Sequence, residues 1–128
     1  MSIGKGIFNL LAQEPSINTK VQNRIFPGFV PQDAQFPAIV YVLPFWEPVL
    51  AKGMRFAMQE VSLDIIIMHR EYGAAHELAD AVKEIIGYHV GAAYGVPFKR
   101  IQWEAQFEEK PEMLYELHVI RQEYKITL

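Results

Sequence analysis

The chain has 128 residues, of which 51% are hydrophobic, 12% aromatic and 21% charged, with no cysteine and a net charge of −3. Such a chain reads as one folded domain over residues 1–128, and the composition excludes a disordered chain, a disulfide framework and thiolate metal sites. The slightly acidic balance argues against a generic phosphate-binding surface. No apolar run reaches about 18 residues without charge and the first residues lack an apolar stretch, so neither a membrane span nor a signal peptide is expected.

In chain order, the first predicted element is a short helix over about residues 3–13. Ile3, Ile7, Leu10 and Leu11 fall on one face of a 3.6-residue period. Pro15 ends it, and Ser16 is placed as the cap of one extra turn over Ile17–Val21. Ile25–Val30 and Ala38–Leu43 read as strands rich in β-branched and aromatic residues, with X-Pro breaks at Pro27, Pro31 and Pro37 beside them. A loop is expected from Pro44 to Gly53.

Met54–His69 reads as a long strand. Val61, Leu63, Ile65 and Ile67 alternate with Glu60, Ser62, Asp64 and Ile66, while Phe56 and Met58 lie on the opposite parity. A helix over Gly73–Tyr88 follows, with an apolar stripe of Ala74, Leu78, Ala81, Val82, Ile85 and Ile86. Tyr94–Pro97 reads as a loop. Ile101–Phe107 and Leu114–Thr127 form a predicted hairpin across Glu108–Glu112, too long a connection for a two-residue turn. The two longest strands, at about 15 residues each, would reach about 50 Å, against a radius of gyration of about 14 Å for a domain of this size. Either such strands break, or they project beyond their own core and need a partner, which is a first argument for self-assembly.

Chemistry-bearing motifs are absent: no phosphate-binding glycine loop, no HExxH, no GxSxG and no cysteine nucleophile. Neither a catalytic residue nor a cofactor is expected. Asp64, His69 and His118 would converge on a metal if their strands were neighbours; the competing reading is polar residues on solvated faces. Glu108, Glu109 and Glu112 read as solvated carboxylates at a loop tip rather than an acid–base pair. The candidate interaction residues are Phe45, Trp46, Met54, Phe56 and Met58. Two large aromatics between prolines are either a plug for the domain's own core or an anchor for a partner, and the methionines suit either.

Three blocks carry a family resemblance. The first is a short helix followed by Val21-Gln22-Asn23-Arg24-Ile25-Phe26-Pro27-Gly28, Pro31-Gln32 and Pro37-Ala38-Ile39-Val40-Tyr41. The second is Leu63-Asp64-Ile65-Ile66-Ile67, then Glu71-Tyr72 and a helix with Leu78-Ala79-Asp80-Ala81-Val82. The third is a closing hairpin whose first strand ends in glutamates and whose last strand carries Tyr115. In this order and spacing the chain, from about Ile3 to Leu128, resembles the tail-completion (tail-terminator, head–tail joining) proteins of long-tailed bacteriophages and prophages. It departs from the family pattern around Phe45 to Lys52, where relatives are less aromatic.

The resemblance implies an α+β fold: an antiparallel β-sheet of about four to five strands, with the N-terminal helix and one long amphipathic helix packed on one face. It implies a structural virion protein, not an enzyme, found in the tail or neck and in the host cytoplasm during assembly. Members form rings, commonly of six subunits, that cap the head-proximal end of the tail tube, stop its polymerisation and join it to the head–tail connector. The implied partners are therefore other copies, the tail tube protein and the connector protein. Genomic DNA passes through the lumen without specific binding. The rival readings are a connector subunit on the portal side and, in a different class, a small cytosolic ligand-binding or enzymatic domain using the Asp64/His69/His118 face.

Overall fold

The computed structural model describes residues 2–49, 58–109 and 116–128, with the backbone alone for 47–49 and 58. Ser2 caps helix α1 (Ile3–Ala12), its hydroxyl accepting from the Lys5 amide at 3.3 Å. Ile3, Ile7 and Leu11 are buried along one face and Leu10 is partly so, as the spacing predicts. Helix α2 (Pro15–Val21) starts one residue before the expected cap. Pro15 occupies its first turn, where a missing N–H costs nothing, and Ser16 lies inside, donating to Glu14 Oε1 instead of capping.

The predicted first strand is cut short. Strand β1 covers only Ile25–Pro27, because Gly28 turns the chain at φ +82°. Strand β2 (Ala38–Val42) runs parallel to β1, so the sheet is mixed rather than wholly antiparallel. The expected loop after Pro44 contains strand β3 (Trp46–Val49), which pairs antiparallel with strand β4 (Met58–His69). Strands β2 and β3 lie along the same side of β4. Val42 faces Asp64 while Trp46 faces Val61, so the chain carries one residue more than β4 across Leu43–Phe45. That is the count of a β-bulge, at the place where Pro44 removes a donor.

Helix α3 (Tyr72–Ile86) lies across the sheet. Its buried stripe is Ala75, Leu78, Ala79, Val82 and Ile86, rotated slightly from the expected one, with Ala81 and Ile85 at its margin. The predicted loop at Tyr94–Pro97 is instead a hairpin of β5 (Gly91–Ala93) and β6 (Val96–Phe98). Its two turn residues, Tyr94 and Gly95, both have positive φ, the signature of the turn that matches strand twist. Strands β7 (Arg100–Glu108) and β8 (His118–Thr127) form the closing hairpin, with an irregularity between Trp103 and Ala105.

The main sheet runs in the order β1-β2-β4-β8-β7, with β3 beside β4. Its covered face carries Ile39, Leu63, Ile65, Ile67, Ile120, Tyr124 and Ile126, all packed with the helices in one apolar core. Period two decides this, since the intervening Asp64, Arg121, Glu123 and Lys125 are half-exposed on the other face. The expectation that long strands project and seek partners is overturned among the described residues. Both β4 and β8 are interior strands, paired on both sides, and the sheet edges fall to short β1, β3 and to β7.

Candidate interaction surface

Three features stand out on the surface, and the strand registers set where each one lies.

The first is the bulge itself. Phe45 is 57% exposed and Trp46 49% exposed, so neither plugs the domain's own core. The Phe45 carbonyl accepts from the Ser62 amide at 2.7 Å, which holds the pair against β4 while the rings stay in solvent. Trp46 faces Val61, a residue of the covered face, and so lies on the helix side at one edge of the sheet. Met54 and Phe56 lie outside the described residues, and for Met58 only the backbone, paired with Val49, is described.

The second lies at the opposite edge. An open groove of about 670 Å³ runs between the end of α3 and β7, lined by Lys83, Tyr88, Val90, Arg100 and Trp103 among others. Tyr88 is 68% and Val90 71% exposed. The Lys83 amine sits 4.0 Å from the centre of the Trp103 ring, a cation–π contact that fixes one wall. None of these residues was singled out from sequence. Tyr88 and Val90 fall just after the helical period ends, where no pattern says which way a side chain points. Trp103 carried one usable signal: it shares Ile101's parity, so a large aromatic sits on the core face of a strand.

The third is a polar cluster where α3 begins and β7 ends. Tyr72 donates to Glu108 Oε1 at 2.7 Å, and His76 Nε2 lies 2.6 Å from the same oxygen. The Tyr72 ring packs on His76 at 4.6 Å and edge-on to His118 at 5.4 Å. The Tyr72 bond, followed by the neighbouring histidines, lowers the Glu108 pKa, and the same bond raises that of Tyr72. Glu108 is therefore held by the helix rather than standing free at a loop tip. Glu109 is 3.3 Å from Arg121, and Glu112 lies outside the described residues.

The three residues proposed for a metal do not converge. His69 and His118 are register partners on the helix side, but Asp64 pairs with Glu123 on the opposite face. Asp64 and His69 are five positions apart, an odd number, and in a strand that sends them to opposite sides. Burial and the Glu123 charge raise the Asp64 pKa; burial lowers that of His69, with His118 adding to the effect. Among the described residues no group of three or more His, Asp or Glu is placed to hold a metal ion.

The family model for tail completion protein gp17 matches residues 5–120. No curated protein matches the chain. Among solved structures, a chain of the virion of a native gene transfer agent particle shares the fold, with a TM-score of 0.73 at 12% identity, over 98% of this chain and 93% of that one.

Proposed function

The chain belongs to the tail completion protein gp17 family, structural proteins of the phage tail, and from that premise we propose that it forms a ring at the head-proximal end of the tail tube, ending tube growth and joining tail to head. The observation that carries this reading is the family match over residues 5–120, which covers the first two blocks of the sequence resemblance from residue 5 on and the closing hairpin as far as Ile120. A ring of identical subunits needs a contact that runs head to tail and closes on itself. The surface supports such a contact: exposed apolar side chains stand at both sheet edges, at Phe45–Trp46 and at Tyr88, Val90 and Trp103. The ring's partners are the tail tube protein on one side and the head connector on the other, with DNA passing through the lumen without specific binding. The protein works in the virion, after assembly in the host cytoplasm.

Along β8 the uncovered face alternates Arg121, Glu123 and Lys125, with Asp64 of β4 opposite Glu123. Arg121 lies between Glu109 and Glu123, and Lys125 lies 3.6 Å from Glu60. A surface of this kind neither grips nor strongly repels a passing phosphate backbone. The enzymatic or ligand-binding alternative loses its main support with the separation of Asp64 from His69 and His118.

The test is native mass by light scattering over a concentration series, with and without purified tail tubes, and electron microscopy of the mixtures. A closed oligomer that binds tube ends and stops their elongation is the expected result. Preferential binding to the isolated connector, with tubes left growing, would move the protein to the portal side. A monomer with affinity for neither would refute the assignment.

A further inference from the structure

The sheet registers place the two exposed aromatic sites at one level. Trp46 faces Val61, Val61 faces Ile126, and Ile126 faces Ile101. These four residues form a single row across the sheet, and all four lie on the helix side. Trp46 ends the row at the β3 edge. At the other end Ile101 opens directly into the groove of Tyr88, Val90 and Trp103.

Strand direction agrees. β3 runs opposite to β4, and β7 runs the same way as β4, because β8 lies antiparallel to both. The two edges are therefore antiparallel to each other. A second copy set beside the first by rotation about an axis along the strands brings its β3 edge to the β7 edge in the favourable sense, with Trp46 at the level of Ile101.

Some backbone groups at the sheet edges are already occupied or lack a donor. The Ile101 amide donates to the His89 carbonyl at 3.3 Å, and Pro48 in β3 has no amide hydrogen to offer. At β1, the Ile25 amide bonds the Asn23 carbonyl and the Pro27 carbonyl accepts from Phe29. These groups interrupt a continuous backbone ladder between copies and leave side chains to make the contact there.

We propose that the Phe45–Trp46 bulge of one copy seats in the groove between Tyr88, Val90 and Trp103 of the next. This deepens the ring reading above and rests on it. The occupant is a second copy for three reasons: Trp46 and the groove residue Ile101 share one register row, they share one face of the sheet, and the two edges run in opposite directions. A twofold contact of β7 with β7 would bury the groove but leave Phe45 and Trp46 in water. The head-to-tail contact covers both sites with a single interface type and leaves each copy able to accept another.

The chain has no cysteine, so introduced ones report the contact directly. Trp46→Cys and Val90→Cys are made separately, mixed in equal amounts at concentrations where the wild type is oligomeric, and oxidised. A disulfide dimer is expected in the mixture, with much less in either variant alone. The doubly substituted chain is expected to give a ladder on a non-reducing gel. Val90→Asp, at a residue already in solvent, is expected to keep the native circular dichroism and to raise the concentration needed for assembly by about tenfold or more. Efficient cross-linking of Val90→Cys with itself would overturn the proposal in favour of the twofold contact. Oligomers by light scattering with no mixed cross-link would overturn it while leaving the ring intact. A wild type that stays monomeric with and without tail tubes would overturn both.

Discussion

At the scale of the residue, the most informative side chain is Gln122. It is fully buried in a strand whose neighbours in the core are apolar, and every polar atom of its amide is engaged. Its amide nitrogen donates to the Ala79 carbonyl at 2.9 Å and to Gln106 at 2.8 Å, and its oxygen accepts from the Tyr124 hydroxyl at 2.7 Å. The bond to Ala79 ties β8 to α3, and the one to Gln106 ties β8 to β7. Burial also pushes the Tyr124 phenol pKa up, so it stays a donor. Gln122→Ala orphans the Tyr124 hydroxyl, and the expected loss is about 2–4 kcal/mol, read by urea unfolding. His69 supplies a pH signature. Its folded pKa lies below the ordinary 6.5, so the unfolded chain takes up a proton that the folded chain resists. Stability from this site is therefore full above about pH 6.5 and falls as pH drops below it. Glu108, lowered by Tyr72, acts in the same direction at more acidic pH, below its ordinary 4.5, and Asp64, raised, opposes it there. Thermal unfolding from pH 7 to 5 should show the decline, and His69→Gln should flatten it.

The elements depend on a few close approaches. α1 packs on the β5–β6 hairpin through Gly6, where an added Cβ would come within 2.9 Å of the Phe98 ring and 3.1 Å of the Ala93 carbonyl. Gly6→Ala improves helix propensity by about 1 kcal/mol. The Ala93 backbone is poorly placed to give way, so a net loss of about 1–3 kcal/mol in urea midpoint experiments is expected. α3 is held by its stripe. Leu78 is fully buried beneath it, and Leu78→Asp sets a charge in the core with no partner. That substitution should abolish folding, seen as loss of the circular dichroism of the native protein. The elements also show why sequence reading erred where it did. Period two and period 3.6 report which face is buried, and they placed α1, α3, β4, β7 and β8 within a few residues. They are silent on short segments. β3, β5 and β6 are three or four residues long, and their pairing partners rather than their own composition make them strands.

At the scale of the whole molecule, the sheet order matters more than strand length. The two long strands lie at its centre and need no partner. Trp46 at one edge and Tyr88, Val90 and Trp103 at the other are among the large apolar side chains left exposed, and the proposed assembly joins them by side-chain contact. Trp46→Ala should leave the circular dichroism and melting temperature close to wild type while weakening oligomerisation, read by light scattering. An unfolded Trp46→Ala chain would instead assign the ring to the core. Of the proposed interaction surface, one half draws attention in the sequence: Phe45 and Trp46 are two large aromatics flanked by Pro44 and Pro48. The groove proposed to receive them does not, because Lys83, Tyr88, Val90, Arg100 and Trp103 come from a helix end, a connecting turn and a strand, and meet only through the packing of α3 on β7.

Local pattern thus determined the α+β class, the main helices and strands and, through the three blocks of resemblance, the family. These follow from interactions between residues close in the chain and from which face must leave water. Tertiary structure decided the rest: the parallel pairing of β1 with β2, the central place of β4 and β8, the separation of Asp64 from His69 and His118, and the single row from Trp46 to Ile101. Each of these depends on register between segments far apart in sequence. A shift of one residue in register would carry every side chain of a strand to the other face, and no short-range pattern records that choice.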